Sequence, residues 1–376
     1  DATFIATEGD SNGGISGDIN IESLSLEMDN AASISTTSFG QGVTGSIDIS
    51  AQDVTLLGGS QIKSITTGSG DSNDITIHTD SLIVSGAAPG LFADPIHNVE
   101  TVLVSGIGSQ SFGDGDSGNI SLYVDDLTVS DGGHITSETF AGGSGGDIII
   151  QGNTVTVTGT APVSDNPQLT LSSGIFASAA STDIYTVTGD GGDIQIQSNN
   201  LSVTDQAIIS SDTAGPGNAG NISIDTINFD MQSDATIATL STHTGNAGSI
   251  DIYAINNLTA SDALISAQAS QPNGGNISFI VGNMLSLQDT EVSSAVLAES
   301  GDGGNVTISA DLIALNHATI IASAVEGNGG NITITANDLI KSANTIIDAS
   351  SEQSVSGTIQ LSPDSEASSA LTNLSE

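Results

Sequence analysis

The chain has 376 residues, of which 44 are acidic and only 2 basic, giving a formal net charge of -42. Such a polyanion repels nucleic acid and anionic lipid and has almost nothing with which to neutralise phosphate, so DNA, RNA and membrane-surface roles are not expected. An apolar fraction of 37% supplies a core, and with no cysteine that core must be held by packing and backbone pairing alone.

Taken in chain order, one motif keeps returning: glycine, often paired, then Asn, Asp, Ser or Thr, then Ile-x-Ile. Its first aliphatic residue falls at Ile19, Ile47, Ile75, Ile120, Ile148, Ile194, Ile222, Ile250, Ile277, Val306, Ile332 and Ile359. Before the first copy, Ile5 lies 14 residues ahead of Ile19 and reads as the third strand of a unit whose first two are missing. In the unit from Ile47 the large aliphatics Ile49, Val54, Leu56 and Ile62 stand at +2, +7, +9 and +15. The unit from Ile75 is lengthened by an insertion near 86–106, and the unit from Ile148 by one near 159–189. Both insertions follow the +9 position, so they are expected on the same side of the protein, where solenoids often carry binding loops.

Later units hold the register. Ile194 is followed by Ile196, Leu201, Val203 and Ile209, and the +15 position continues as Ile237, Ile265, Val292, Ile321 and Ile347. After Ile359 and Leu361 the acidic tail 363–376 has no aliphatic pairs. Pairs two residues apart have the period of strands, and the Asp, Asn, Gly and Ser between them turn the chain. One unit of about 28 residues cannot cover its own apolar stripe, but a second stacked on it can.

The predicted fold is therefore all-β: a right-handed parallel β-helix of about 12 rungs, three short strands per rung, forming one domain over 1–362. At about 4.8 Å per rung the rod is roughly 60 Å long. The glycines are read as corner residues, chosen for positive φ and for room beside the next backbone. Asn119, Asn221, Asn276, Asn305 and Asn331 follow them and are expected to stack as a ladder. Asp147 and Asp193 take the same slot in adjacent rungs, which requires solvent, a shared proton or a cation.

Little in the chain points to catalysis, and an enzyme is not expected; the alternative reading is a carbohydrate-binding or carbohydrate-cleaving β-helix, for which a hydrolase would need only two of the 44 carboxylates. Gly142 to Gly146 matches G-x-S-x-G and Gly113 to Gly118 matches G-x-G-x-x-G, but no helix follows either. There is no arginine for a lyase, and no Trp among the aromatic residues that sugar subsites favour. His78, His97, His134, His243 and His317 occupy different unit positions and read as surface residues. Calcium is the one cofactor considered, with Asp114, Asp116, Asp190 and Asp193 as oxygen ligands in acidic corners.

Several stretches resemble the β-helix portions of filamentous-haemagglutinin-like exoproteins of two-partner secretion. They are GNGGNITITANDLI from Gly327, GGSQIKSITTGSGDSNDITI from Gly58, SGIFASA from Ser173 and the ending from Ile347 to Leu374. The resemblance implies an extracellular bacterial protein, delivered through an outer-membrane partner and used in adhesion, matrix or fibre building. Such proteins normally open with a secretion domain bearing Asn-Pro motifs; none opens this sequence, and Asn166-Pro167 lies in an insertion. A processed form or fragment is expected. The incomplete units at Ile5 and Ile359 suggest head-to-tail association into filaments, and a surface carbohydrate is the other expected partner.

Overall fold

A computed structural model describes residues 3–10, 13–88, 92–93, 100–163, 166–180, 187–298 and 301–367. Pro89, Pro95, His97, Tyr185 and residues 368–376 of the tail lie outside these. Among the described residues there are strands and turns but no helix. The strands pair in parallel, each with the equivalent segment one repeat away. The first-position column runs Ile19, Ile47, Ile75, Ile120, Ile148, Ile194 and Ile222, each the Cα partner of the next. It continues through Ile250, Ile277, Val306, Ile332 and Ile359. The protein is a β-solenoid of twelve stacked turns.

Alternation fixes which side chains enter the core. Ile47–Ser50 buries every second residue, and Ile47, Ile75, Ile120, Ile148, Ile222 and Ile250 are all fully buried. A slip of one residue would turn that whole set to solvent, so stacking Ile on Ile locks the register. The third-strand column begins where the sequence places it, Ile5 pairing with Ile34 and Ile34 with Ile62. In the rung from Val306 the column residue is Ile320 rather than the expected Ile321: Ile320 pairs with Val292 and Ile347 and is buried. In two rungs the expected three strands join into one, Ile222–Ala238 and Ile250–Ser266, because pairing persists through both bends with small register shifts. Beyond the third strand a further column of parallel bridges runs Ala179, Thr213, Ser241, Ala269, Val296, Ala324 and Ser351.

The insertions are antiparallel hairpins on one side. The first pairs Phe92–Ala93 with Glu100–Thr101, and the second pairs Thr160–Val163 with Asn166–Ser172. Their roots are built alike: Ser105 N–H donates to Gly86 O at 2.8 Å, and Ser173 N–H to Gly159 O at 2.9 Å. The span 159–189 is not one insertion, however. Gly174–Ala179 pairs with His134–Thr139 as the rung's own third strand, so a hairpin precedes it and a shorter addition follows it. The tail boundary also moves, since strand Ile359–Ala367 keeps its pairing as far as Ala367 opposite Ile340. Backbone pairing there needs no aliphatic side chain, and an edge strand tolerates Pro363.

The two corners use glycine differently from expectation. Left-handed φ sits in the turn between the second and third strands, at Gly58, Gly86, Gly132 and Gly159 and at Asn30, Asp131, Asp205 and Asp289. The paired glycines before Ile-x-Ile do not adopt it. There a Cβ would meet backbone: at Gly304 it would lie 2.0 Å from Gly275 O, and at Gly192 2.1 Å from Gly146 O. Close approach between rungs is the whole reason for that pair.

Candidate functional site

Where the residue after the corner glycine is Asn or Asp it is exposed, and in most rungs its side-chain oxygen accepts the backbone N–H of the same position one rung on. Asn119 Oδ1 accepts from Asp147 N at 2.8 Å, Asp147 Oδ1 from Asp193 N at 2.8 Å, and Asp193 Oδ1 from Asn221 N at 2.7 Å. Asn276, Asn305 and Asn331 form a second run, with Asn305 N on Asn276 Oδ1 at 3.0 Å and Asn331 N on Asn305 Oδ1 at 2.9 Å. Amide-to-amide bonds of 3.1 Å add to it. All five predicted Asn residues therefore lie in the ladder, though its main bond is to backbone. This also explains why Asp substitutes for Asn: only the acceptor is required. Asp147 and Asp193 both face water, and the Asp193 N–H meets Asp147 Oδ1.

Sequence reasoning missed a second ladder three residues earlier. Asp116 N donates to Asp71 Oδ1 at 2.9 Å, Asn218 N to Asp190 Oδ1 at 2.6 Å, Asn246 N to Asn218 Oδ1 at 3.0 Å and Asn328 N to Asp302 Oδ1 at 2.7 Å. Three of the four proposed calcium ligands, Asp116, Asp190 and Asp193, thus use one oxygen to cap a neighbouring rung. Asp114, Asp116, Asp190 and Asp193 are all exposed, and among the described residues no three His, Cys, Asp or Glu side chains are gathered to hold a metal ion. The two formal motif matches lie in these corners, with strands on either side.

If the ladder stabilises the stack, its loss and its completion have opposite signs. Asn305→Ala is expected to cost about 1 kcal/mol, the usual net worth of such a bond. Ser249, whose N–H donates to Asn221 Oδ1 at 2.9 Å, lacks the longer acceptor that would pass the ladder on. Ser249→Asn is expected to raise the melting temperature, and a drop in both variants by calorimetry would refute the assignment.

Ring faces are used along the axis. His78 stacks on Tyr123 at 4.6 Å and 8°, and Phe112 on Phe140 at 4.6 Å and 4°. These rings cover each other rather than offering flat platforms outward. His78 and Tyr123 border an open trough of about 810 Å³ at the bend between first and second strands, which continues past Gln151 and Gln197 to Tyr253. His243 and His317 are exposed as expected, the latter 3.2 Å from Asp289 Oδ1.

His134 is the exception. It is partly buried, its ring edge-on to Phe176 at 5.1 Å, with Nε2 3.0 Å from Ser172 O at the root of the second hairpin. A carbonyl only accepts, so Nε2 carries the hydrogen and Nδ1 is left as an acceptor. Burial lowers the imidazole pKa, with the Ser172 bond opposing. On the same face stand Gln61, whose Nε2 donates to Val104 O at 3.2 Å, and Lys63, whose Nζ donates to Gln61 Oε1 at 3.2 Å. Glu138 closes the far side, accepting from Gln110 Nε2 at 3.3 Å. Together they line a slot of about 100 Å³ between the two hairpin roots.

Burial pushes the Glu138 carboxyl up from 4.5 to about 7, the Gln110 bond opposing. The folded state thus holds a proton that the unfolded chain releases near pH 4.5. Folding stability is full below that pH and declines as pH rises through 7. Glu138→Gln should leave the melting temperature unchanged at pH 4 and raise it by about 2 °C or more at pH 8. The exposed Asp251→Asn serves as the control for general charge reduction. An equal gain from both variants would show that Glu138 has no special environment.

No family model, no curated protein and no solved structure matches the chain.

Proposed function

We propose that the chain is a segment of a secreted or surface-displayed bacterial structural rod, used in adhesion, matrix or fibre building. The observation that carries this reading is the unbroken parallel stack of twelve turns, bound by ladders on its outside as well as by aliphatic columns within. Such a stack is extended and stiff, and its exposed acidic corners hold their Asp and Asn side chains in hydrogen bonds to the next rung instead of converging on a reaction centre. The resemblance of the repeats and ending to filamentous-haemagglutinin-like exoproteins supports the same reading. Self-association and a calcium-assisted closing of acidic faces belong to it as proposals.

Charge provides the test. Net charge -42 over twelve rungs is 42/12, or 3.5 per rung, and rungs about 4.8 Å apart lie within a Debye length of about 8 Å. NaCl or Ca²⁺ is expected to raise the melting temperature or drive association, read by calorimetry and sedimentation velocity. Indifference to both, with globular rather than rod-like particles in negative stain, would sink the proposal. A second reading, an extended-carbohydrate binder, is favoured by the open trough and by Tyr253, which is 47% exposed within it. Retention on an insoluble glucan, lost in Tyr253→Ala, would support that reading over the first.

A further inference from the structure

The outward residue three places after each first-column aliphatic forms a column of its own. It runs Glu22, Ser50, His78, Tyr123 and Gln151, each the Cα partner of the next. His78 and Tyr123 stack at 4.6 Å and 8°, so their ring planes lie across the axis and the other face of His78 is turned toward the rung of Ser50. Ser50 is too short to cover it. The column therefore has a gap one rung deep, with an exposed imidazole on one side and the exposed Glu22 on the other. A group seated at the level of Ser50 would lie about 4.8 Å from the His78 ring. That is close to the separation the His78 and Tyr123 rings already keep.

The walls favour a cation. Asp80 and Asp125 follow the two rings by two residues, on the same two rungs, and no other pair of successive rungs carries aspartate at that place. Like charges so placed repel, and the described residues lining the trough include no Lys or Arg to relieve them. Glu22 and Asp80 make no side-chain hydrogen bond or ion pair with any described residue. Leu24, 79% exposed, adds an apolar side wall. A planar cation on an aliphatic stem answers all of these features: its plane stacks on the imidazole, its N–H groups donate to carboxylates and its stem lies along Leu24. We propose that this gap receives an arginine side chain presented by a protein partner, its guanidinium stacked on His78 between Glu22 and Asp80. The net charge of -42 steers such a partner inward. The inference goes beyond the rod reading and stands without it.

The test is titration of the full chain at pH 7.5 and physiological salt with four probes, read by saturation-transfer NMR. They are N-acetylarginine amide, the lysine amide for charge without the plane, the citrulline amide for the plane without charge, and cellotetraose as an uncharged glycan. The arginine amide is expected to bind with Kd about 1 mM, the lysine amide at least threefold more weakly and the citrulline amide not at all. Ser50→Tyr carries the ring stack through the gap and should abolish binding. Its melting temperature should be unchanged, since Tyr123 and Tyr253 already occupy the same outward place. His78→Ala should weaken binding about fivefold, and it decides if Ser50→Tyr fails to fold. Tyr253→Ala, four rungs from Tyr123, should leave binding as it was. No binding of the arginine amide, equal binding of the lysine or citrulline amide, or binding unchanged in Ser50→Tyr overturns the proposal. Cellotetraose binding that Ser50→Tyr removes, with none of the arginine amide, overturns it in favour of a glycan.

Discussion

Ile237→Asp is expected to remove the cooperative thermal transition at the wild-type temperature. Ile237 is fully buried in the third-strand column, paired with Ile209 on one side and Ile265 on the other. An ionised carboxylate there has no cationic partner, and the cost of leaving it unpaired is several kcal/mol. Ile237→Val deletes one methyl group and should cost only about 1 kcal/mol. Circular dichroism melts of the pair would check this. A wild-type melt for the Asp variant would mean the side chain is not where the register puts it.

The second large effect separates the two uses of glycine. At Gly304 the backbone has no left-handed φ, yet a Cβ would lie 2.0 Å from Gly275 O and 2.6 Å from its carbonyl carbon. Gly304→Ala must push two rungs apart, straining a pairing that Val306 and Ile277 begin two residues later. A loss of about 3 kcal/mol is expected, at the upper end of overpacking costs. At Gly86, φ is +82° and the nearest atom to a Cβ would be Gly58 N at 3.9 Å. Asn accepts that conformation, as Asn30 does at the equivalent turn, so Gly86→Asn should cost less than about 1 kcal/mol. Comparable losses in chemical denaturation would contradict the distinction.

The apolar columns were legible because every rung offers Ile47, Ile75 or Ile222 the same surroundings, so one requirement is written twelve times. Ile320 was misplaced by one residue because Ile321 follows it and either fits an aliphatic pattern; only the pairing with Val292 decides. The ladder at Asn276, Asn305 and Asn331 was visible as repeated amides. Its companion through Asp71, Asp116 and Ser144 was not, because Asp, Asn and Ser share an acceptor oxygen or a backbone donor rather than an identity. Nor does the spacing reveal the slot. Lys63, Gly108 and Glu138 come from three rungs, and the first hairpin separates Lys63 from Gly108 in sequence by a distance that spacing alone cannot interpret.

The hairpin roots have a consequence for how this molecule can change over time. Ile62 pairs with Ile107 and Ile107 with Ile135 as though no residues had been added between Leu82 and Ile107. The corner closed by Ser105 and Gly86, and by Ser173 and Gly159, therefore uncouples what is added from what is stacked. Each doubling of a flexible addition costs only about 0.6 kcal/mol in closure entropy. The corner is a graft port. New surface can be acquired or exchanged there, one rung at a time, while the scaffold stays unaltered.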